Sequence, residues 1–181
     1  MKFKIYRFKK VNSTNNTAIR IIKKSNLDYG MIISEIQNKG RGQYGKKWIS
    51  YKGNLFVSFF YKINYFKESF KKLTMLNCQL VKNLISRYYK KKIVFKEPND
   101  LLINKKKICG ILQETVSKFD EIYLIVGIGI NLKKNPKLKN YATENLSNLI
   151  KKNISKRKIE IELKKMFELK LTKLYKLNKI N

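Results

Sequence analysis

The hydrophobic period of the chain changes between residues 54 and 92, and this change limits the fold more than any other feature. Apolar residues alternate with other residues at period two, which predicts a strand over about residues 54–63. Over residues 66–92 apolar side chains recur at i+3 or i+4, which predicts a long amphipathic helix. These side chains are Leu73, Leu76, Leu80, Leu84 and Tyr88. A chain with both periods must pack a sheet against helices.

Short apolar stretches on both sides of this region predict further strands. Residues 31–36, "MIISEI", form one of them. Four more follow in the stretches "KIVFK", "LLIN", "KICGILQET" and "EIYLIVGIGINL". The segments "NKKK" and "VSKFD" between the later stretches are typical of hairpin turns. The second half of the sheet is therefore predicted to be an antiparallel meander.

Two more helices complete the predicted set. The capping residues in "NSTNNTAIRIIKK" predict a helix that begins near Ser13 or Thr14. Residues 158–177 carry apolar side chains at helical spacing and predict a closing helix, whereas residues 135–153 are polar and irregular. No internal repeat or linker rich in Pro, Gly or Ser divides the chain. Residues 1–181 are therefore expected to form a single α+β domain, with a mixed, largely antiparallel sheet and packed helices.

Composition excludes several classes of chemistry. The formal net charge of +30 suggests a nucleic-acid partner, but the 37 lysines are scattered and only five arginines accompany them, which favours a solvated basic surface. The chain has two cysteines outside any CxxC spacing and no histidine, so zinc sites, redox pairs and Ser-His or Cys-His catalysis are excluded. Mg²⁺ remains compatible. No signal peptide or membrane-spanning apolar run is present, and a cytoplasmic protein is expected.

The stretch "NKGRGQYGKKW", residues 38–48, matches both the GxGxxG dinucleotide pattern and most of a P-loop. A P-loop needs Ser or Thr after Lys46, where this chain has Lys47. Both motifs also need a helix directly after the loop, but Trp48 and an alternating strand follow. Three glycines and the cations Arg41, Lys46 and Lys47 still suit a bound anion. The alternative is a solvated hairpin.

Four segments, in this order, resemble the motifs of the biotin–protein ligases. "NSTN" at 12–15 is similar to that family's DSTN stretch, and "QNKGRGQYGKKW" at 37–48 to its Q-x-x-GRGRxGRxW loop. "FKEPNDLLINKKKICGIL" at 95–112 is similar to its KWPND and K-x-x-GIL region, and "VGIGINL" at 126–132 to its G-x-G-I-N strand. The resemblance implies a class II synthetase-like catalytic domain that activates biotin with ATP and transfers it to a carrier-protein lysine.

The implied chemistry joins two anions, the carboxylate of biotin and the α-phosphate of ATP, so fixed cations matter more than a proton shuttle. The resemblance assigns catalytic roles to Lys96, between the two anions, and to Arg41, which is expected to order the loop over the adenylate and to contact the carboxylate side. The implied biotin contacts are Ser13, Thr14, Asn15, Gln37, Gly40, Arg41, Gly42, Gln43, Lys96 and Gly110. The implied contacts to ATP or the adenylate are Arg41, Lys46, Trp48, Lys96, Asn99 and Asn131. Mg²⁺ is expected to accompany ATP, with no set of metal ligands assigned to the protein.

Three glycines in the predicted strands also need an explanation. Gly110, Gly127 and Gly129 occupy positions where glycine is costly unless another group approaches closely. Bound biotin or its adenylate would account for them, and a β-bulge is the alternative.

The chain departs from the family pattern at two positions. Gln43 stands where the loop usually has Arg, and Glu97 stands where KWPND has Trp. These departures suggest one alternative, a decayed enzyme that binds biotin without turnover. A lipoate or octanoate ligase is a second alternative, because those enzymes resemble this family, and a basic nucleic-acid-binding module is a third.

The implied protein partner is the biotin carboxyl carrier protein of acetyl-CoA carboxylase. "NSTN" starts at residue 12, so an N-terminal helix-turn-helix and a DNA-binding repressor role are not expected. The chain ends near the point where the family's small C-terminal β-barrel domain would begin, and that domain is expected to be missing. No membrane association is expected, and a homodimer is left open.

Overall fold

The computed structural model describes residues 2–64, 66–139 and 141–179. Its centre is a seven-stranded sheet with the order β1-β2-β3-β7-β6-β5-β4. The strands are Lys4–Val11 (β1), Tyr29–Gln37 (β2), Leu55–Lys62 (β3), Val94–Lys96 (β4), Asp100–Ile103 (β5), Lys106–Lys118 (β6) and Glu121–Ile130 (β7). β1 and β2 are parallel, and every other neighbouring pair is antiparallel. The fold is therefore α+β with a mixed, largely antiparallel sheet, as the sequence predicts.

Helices cover both faces of this sheet. They are Thr14–Lys24 (α1), Phe70–Ser86 (α2), Leu146–Ile150 (α3) and Lys156–Lys179 (α4). α2 and α4 share one face, where the Phe167 ring stacks on Phe59 with centroids 4.0 Å apart. α1 packs on the other face, where Ala18 and Ile22 are fully buried in a smaller core with Phe60. Alternation along each strand separates the residues that face these two cores.

The observed elements correct several predicted boundaries. The predicted helix over 66–92 begins only at Phe70, because the Ser69 side chain accepts from the backbone N–H of Lys72 and caps it. Strand β6 continues through most of "VSKFD" to Lys118, which leaves Phe119 and Asp120 as the turn. The turn in "NKKK" likewise narrows to Asn104 and Lys105, both at positive φ as a two-residue hairpin requires.

Two elements were not predicted. β1 pairs in parallel with β2, but its lysines and arginine leave only a weak apolar alternation, as is common for an edge strand. Helix α3 lies within the segment 135–153, to which no element was assigned, and the Asn145 side chain caps it by accepting from the Asn148 N–H. Within the described residues, no helix combines the length and apolar character needed to cross a membrane.

Candidate active site

Small residues on three neighbouring strands form a trough on the α1 face of the sheet. The register places Ser58 of β3 opposite Gly127 of β7, and Gly129 of β7 opposite Gly110 of β6. Because side chains alternate along a strand, all four positions share the face opposite the large core. The absence of bulky side chains here leaves room above the centre of the sheet.

Two side chains of the protein enter this trough. A Cβ on Gly127 would lie 2.2 Å from Asn15 Oδ1, and Cβ atoms on Gly110 and Gly129 would lie 2.7 and 2.5 Å from the Trp48 ring. The pairing of β3 with β7 and of β7 with β6 is regular through these positions. The register shift between β5 and β6 lies beyond Gly110, between the pairs Leu101–Cys109 and Leu102–Lys107, so none of the three glycines sits in a β-bulge. Close approach is the reason, as the sequence predicts, but the approaching groups in this structure are Asn15 and Trp48.

A buried polar network forms the α1 end of the trough. The Ser58 hydroxyl lies 2.8 Å from Thr14 Oγ1 and 2.5 Å from Asn15 Oδ1. Gln37 Oε1 accepts from the Thr14 N–H at 2.8 Å and from its hydroxyl at 3.1 Å. Ser13 instead caps α1, since its hydroxyl accepts from the Asn16 N–H. The trough thus ends in hydrogen-bonding groups with little access to bulk water.

The glycine loop closes over this trough as a tight hairpin. The Trp48 N–H donates to the Gly40 carbonyl at 2.9 Å, and the Gly42 N–H donates to the Lys46 carbonyl at 2.6 Å. Arg41 extends from the hairpin, and its Nη2 lies 2.6 Å from Glu114 Oε2. The hairpin runs towards β3 and not into a helix, which agrees with the rejection of both nucleotide-binding motifs.

Lysines and one tyrosine form the opposite wall. Lys96, at the end of β4, has its Nζ 5.1 Å from the centroid of the Tyr141 ring. Lys107 Nζ lies 2.6 Å from Asp100 Oδ1, 5.5 Å from the Tyr141 centroid and 5.4 Å from the Trp48 centroid. Burial, followed by the charge of Asp100, raises the pKa of Tyr141 to about 12, so its hydroxyl keeps the proton that it donates to Asp100. Two ammonium groups therefore point at one cleft.

These walls enclose a cleft of about 630 Å³. All but one of the predicted site residues line it, namely Ser13, Thr14, Asn15, Gln37, Arg41, Gly42, Gln43, Lys46, Trp48, Lys96, Asn99, Gly110 and Asn131. The exception is Gly40, which is buried behind the loop with the Trp48 carbonyl 2.5 Å from where its Cβ would be. Residues separated by more than a hundred positions in the chain are thus brought to one site.

Asn99 and Asn131 border the cleft in different ways. Asn99 lies in the turn between β4 and β5, after the cis Glu97–Pro98 peptide, and its carbonyl accepts from the Ile111 N–H. Asn131 is 2% exposed, and its amide donates to the Glu144 carbonyl at 3.2 Å. Among the described residues no donor reaches Asn131 Oδ1, which leaves one buried acceptor at the edge of the cleft.

Metal and thiol chemistry have little support in this cleft. The described residues include no group of three or more His, Cys, Asp or Glu side chains that could hold a metal ion. Asp100, a carboxylate in the wall, is already engaged by Lys107 and Tyr141. Both cysteines are buried and free, and burial raises the pKa of the Cys109 thiol beside the cleft.

Comparison with known proteins agrees with this geometry. The family model described as the biotin/lipoate A/B protein ligase family matches residues 7–131, more than half of the chain. The chain belongs to this family.

Individual relatives within the ligase family match only part of their own length. The bifunctional ligase/repressor BirA of Bacillus subtilis (strain 168) is 30% identical over 128 residues, which are 70% of this chain and 39% of that protein. BirA of Escherichia coli (strain K12) is 31% identical over 102 residues, which are 55% of this chain and 32% of that protein. The chain thus spans well under half the length of these curated relatives.

A solved biotin protein ligase from Aquifex aeolicus, in complex with biotin and ATP, has the same fold. It superposes with a TM-score of 0.78 at 28% identity, covering 94% of this chain and 71% of that one. The seven-stranded sheet and its helices are therefore the catalytic fold of biotin ligases.

Several polar residues that line the cleft or bond to its lining residues were not predicted from the sequence, among them Ser58, Lys107, Glu114 and Tyr141. Ser58 lies inside an alternating strand and carries no motif, although a Ser among large apolar residues is a signal of close approach. Lys107 occupies the basic position of the K-x-x-GIL match, but only the structure distinguishes it from its neighbours Lys105 and Lys106. Glu114 and Tyr141 lie outside every motif.

Proposed function

We propose that the protein is a biotin–protein ligase. It would activate biotin with ATP to biotinyl-5′-AMP, release pyrophosphate, and transfer biotin to one lysine of the biotin carboxyl carrier protein of acetyl-CoA carboxylase. The observation that carries the proposal is the polarity of the cleft. Buried hydrogen-bonding groups lie at the α1 end, Arg41 reaches over them from the glycine loop, and the cations Lys96 and Lys107 lie on the opposite wall.

The α1 end suits the ureido ring of biotin. That ring presents one carbonyl and two N–H groups, each of which needs a partner once it is removed from water. Thr14, Asn15, Ser58 and Gln37 offer hydroxyl and amide groups within one connected network. In this structure these groups hydrogen-bond to one another. The ureido ring of biotin could replace those bonds, whereas the alkyl chain of a lipoyl or octanoyl acid offers no polar group in exchange, which supports biotin over the acids of the other branch of the family.

The cations suit the first reaction step. A biotin carboxylate oxygen attacks the α-phosphorus of ATP, the bond to the bridging oxygen breaks, and pyrophosphate leaves with its electron pair. Both reactants are anionic, and negative charge grows on the leaving group and the equatorial oxygens. Lys96, with Arg41 and Lys107, would offset that repulsion from fixed positions. Mg²⁺ would arrive with ATP and neutralise its phosphates.

The second step needs positioning more than further activation. The neutral amine of the carrier lysine attacks the biotinyl carbonyl, an amide bond forms, and AMP leaves while the amine releases a proton to solvent. A mixed anhydride is already reactive, so the protein would contribute by holding both partners together. The proposed setting is the cytoplasm, where ATP and the carrier meet.

The test is transfer of biotin to a carrier domain. The purified protein is incubated with biotin, Mg-ATP and a biotin carboxyl carrier domain, and biotin bound to protein is measured after denaturation. The matched control is the same carrier domain with its target lysine changed to arginine. We expect incorporation into the first carrier only. Incorporation of lipoate or octanoate in place of biotin would overturn the proposal, as would no incorporation.

A further inference from the structure

Arg41, the loop cation expected to clamp the substrate anions, already has an anionic partner in this structure. Its Nη2 lies 2.6 Å from Oε2 of Glu114, which stands on β6 and carries no motif. The two residues are 73 positions apart, and the pair is the one ion pair between the glycine loop and the sheet among the described residues. The contact therefore attaches the loop to strand β6 of the sheet.

The same carboxylate oxygen also serves the buried polar network. Asn15 Nδ2 donates to Glu114 Oε2 at 2.6 Å, while Asn15 Oδ1 accepts from the Ser58 hydroxyl. One oxygen thus links the α1 end of the trough to the loop cation. Asn15 and Arg41 thus share one anionic acceptor, and an incoming substrate carboxylate that reaches Arg41 would compete with that acceptor.

We propose that Glu114 is a positioning residue that stands in for the substrate carboxylate. Without substrate, its carboxylate holds Arg41 and keeps the glycine loop closed. When an anionic substrate enters, Arg41 exchanges Glu114 for the substrate anion, while Asn15 keeps Glu114 as its acceptor. The inference rests on the proposed function, because it takes a carboxylate acid such as biotin as the incoming ligand.

The strength of the ion pair between Arg41 and Glu114 follows from the solvent exposure of the two side chains. The Arg41 side chain is 38% exposed and that of Glu114 is 26% exposed, so water and salt screen much of their attraction. Half-exposed pairs of this kind change an equilibrium by up to about fivefold. Glu114 is therefore a weak internal competitor, which a substrate with a full carboxylate can displace.

The first experiment needs no substrate and uses Trp48, the only tryptophan of the chain. Acrylamide quenching of its fluorescence reports whether the loop keeps the ring against Gly110 and Gly129. Glu114→Gln removes the charge but retains an amide oxygen for Asn15, and we expect stronger quenching in this variant. Glu162→Gln is the control, because Glu162 is similarly half-buried, at 22%, and pairs with Arg87 away from the cleft. Equal quenching in both variants would overturn the proposal.

The second experiment separates exchange from general electrostatics. Biotin and the uncharged biotin amide are titrated into the wild-type protein, Glu114→Gln, Arg41→Met and the double variant. We expect Glu114→Gln to bind biotin about two- to fivefold more tightly and biotin amide unchanged. This gain in biotin affinity must be absent from the double variant, in which Arg41 is replaced by Met. Weaker biotin binding in Glu114→Gln, or a gain that persists without Arg41, contradicts the exchange.

These outcomes are distinguishable from failure of the proposed function. If the wild-type protein does not bind biotin but binds lipoate, the biotin assignment fails while the same four proteins test the exchange with lipoate and its amide. If no acid binds, both the proposed function and the exchange with substrate fail. The quenching result then decides only whether Glu114 holds the loop.

Discussion

Replacing Gly127 by alanine tests the packing that forms the buried end of the cleft. The added Cβ would lie 2.2 Å from Asn15 Oδ1, well short of the 3.4 Å at which ordinary contact begins. Asn15 is 3% exposed and cannot move into solvent without leaving its partners. Those partners are the Ser58 hydroxyl at 2.5 Å and the Glu114 carboxylate at 2.6 Å.

Two opposing terms set the magnitude. Overpacking a well-filled site costs roughly 1–3 kcal/mol, and this figure includes the hydrogen bonds that the displaced Asn15 loses. Alanine also reduces the conformational freedom of the unfolded chain, which returns about 0.4–1 kcal/mol. We therefore expect the free energy of unfolding to fall by about 1–2 kcal/mol, which lowers Tm by about 2–8 °C for a chain of this size.

Thermal unfolding and biotin titration measure the two consequences of Gly127→Ala. We expect lower Tm together with weaker biotin binding, because the displaced Asn15 belongs to the proposed ureido site. Gly42→Ala is the control for thermal unfolding only, since the atom nearest to its Cβ would be the Lys46 carbonyl oxygen at 3.3 Å, in a hairpin that can shift. Asn15→Ala removes the clashing amide, so adding Gly127→Ala to it should cost about 1 kcal/mol less than adding it to the wild-type protein. Full additivity, or an unchanged Tm in Gly127→Ala, would refute this account of the glycine.

Three further predictions concern charge, thiols and packing. Lys96→Ala should slow biotin-dependent pyrophosphate release by about 10²–10³-fold with Tm unchanged. Lys92→Ala, which changes an exposed lysine outside the cleft, should not slow release. Equal rates in the two variants would show that Lys96 does not stabilise the reaction. Burial raises the pKa of Cys78 from 9.0 to about 11, so the protonated thiol stabilises the fold below pH 9 and this contribution is lost as pH rises towards 11. Denaturant titrations at several pH values should record that loss. A free energy of unfolding that does not change over this pH range would contradict it. Phe167→Ala should lower the free energy of unfolding by about 3–5 kcal/mol, because the ring is fully buried against another ring, whereas Phe119→Ala at a 91% exposed turn should have little effect in the same titrations.

The elements with a strong period were predictable from the sequence. The structure has β3 and α2 where expected, apart from the ends. α2 carries apolar side chains at a period of 3.6, whereas β3 is buried on both faces from Leu55 to Tyr61, so its continuous apolar stretch marks it better than the alternation does. The ends depend on single side chains such as the Ser69 cap, which hydrophobic patterns do not contain. β1 was missed because each of its residues pairs with a residue 26 positions later in the sequence, and because lysines and an arginine interrupt its apolar pattern.

The cleft was predictable as a set of motifs but not as a network. The four ordered segments contain most of its lining residues, because each segment supplies backbone geometry that local sequence must encode, but the wall formed by residues 136–139 and 141–143 was not predicted. Ser58, Glu114 and Tyr141 act through contacts over 43, 73 and 41 positions, and nothing local to them indicates those partners. The glycines illustrate the limit, since close approach was inferable but the identity of the approaching side chain was not.

The most direct test of the proposed activity is the substrate dependence of pyrophosphate release from Mg-ATP. Release is measured with biotin, lipoate, octanoate or no acid, with the carrier omitted so that only the first step is followed. The polar network at Thr14, Asn15 and Ser58 predicts release that requires an acid and saturates with biotin. It also predicts a kcat/KM for biotin about a hundredfold or more above those for lipoate and octanoate. Release that is independent of added acid, or that is fastest with octanoate, would contradict the biotin–protein ligase assignment.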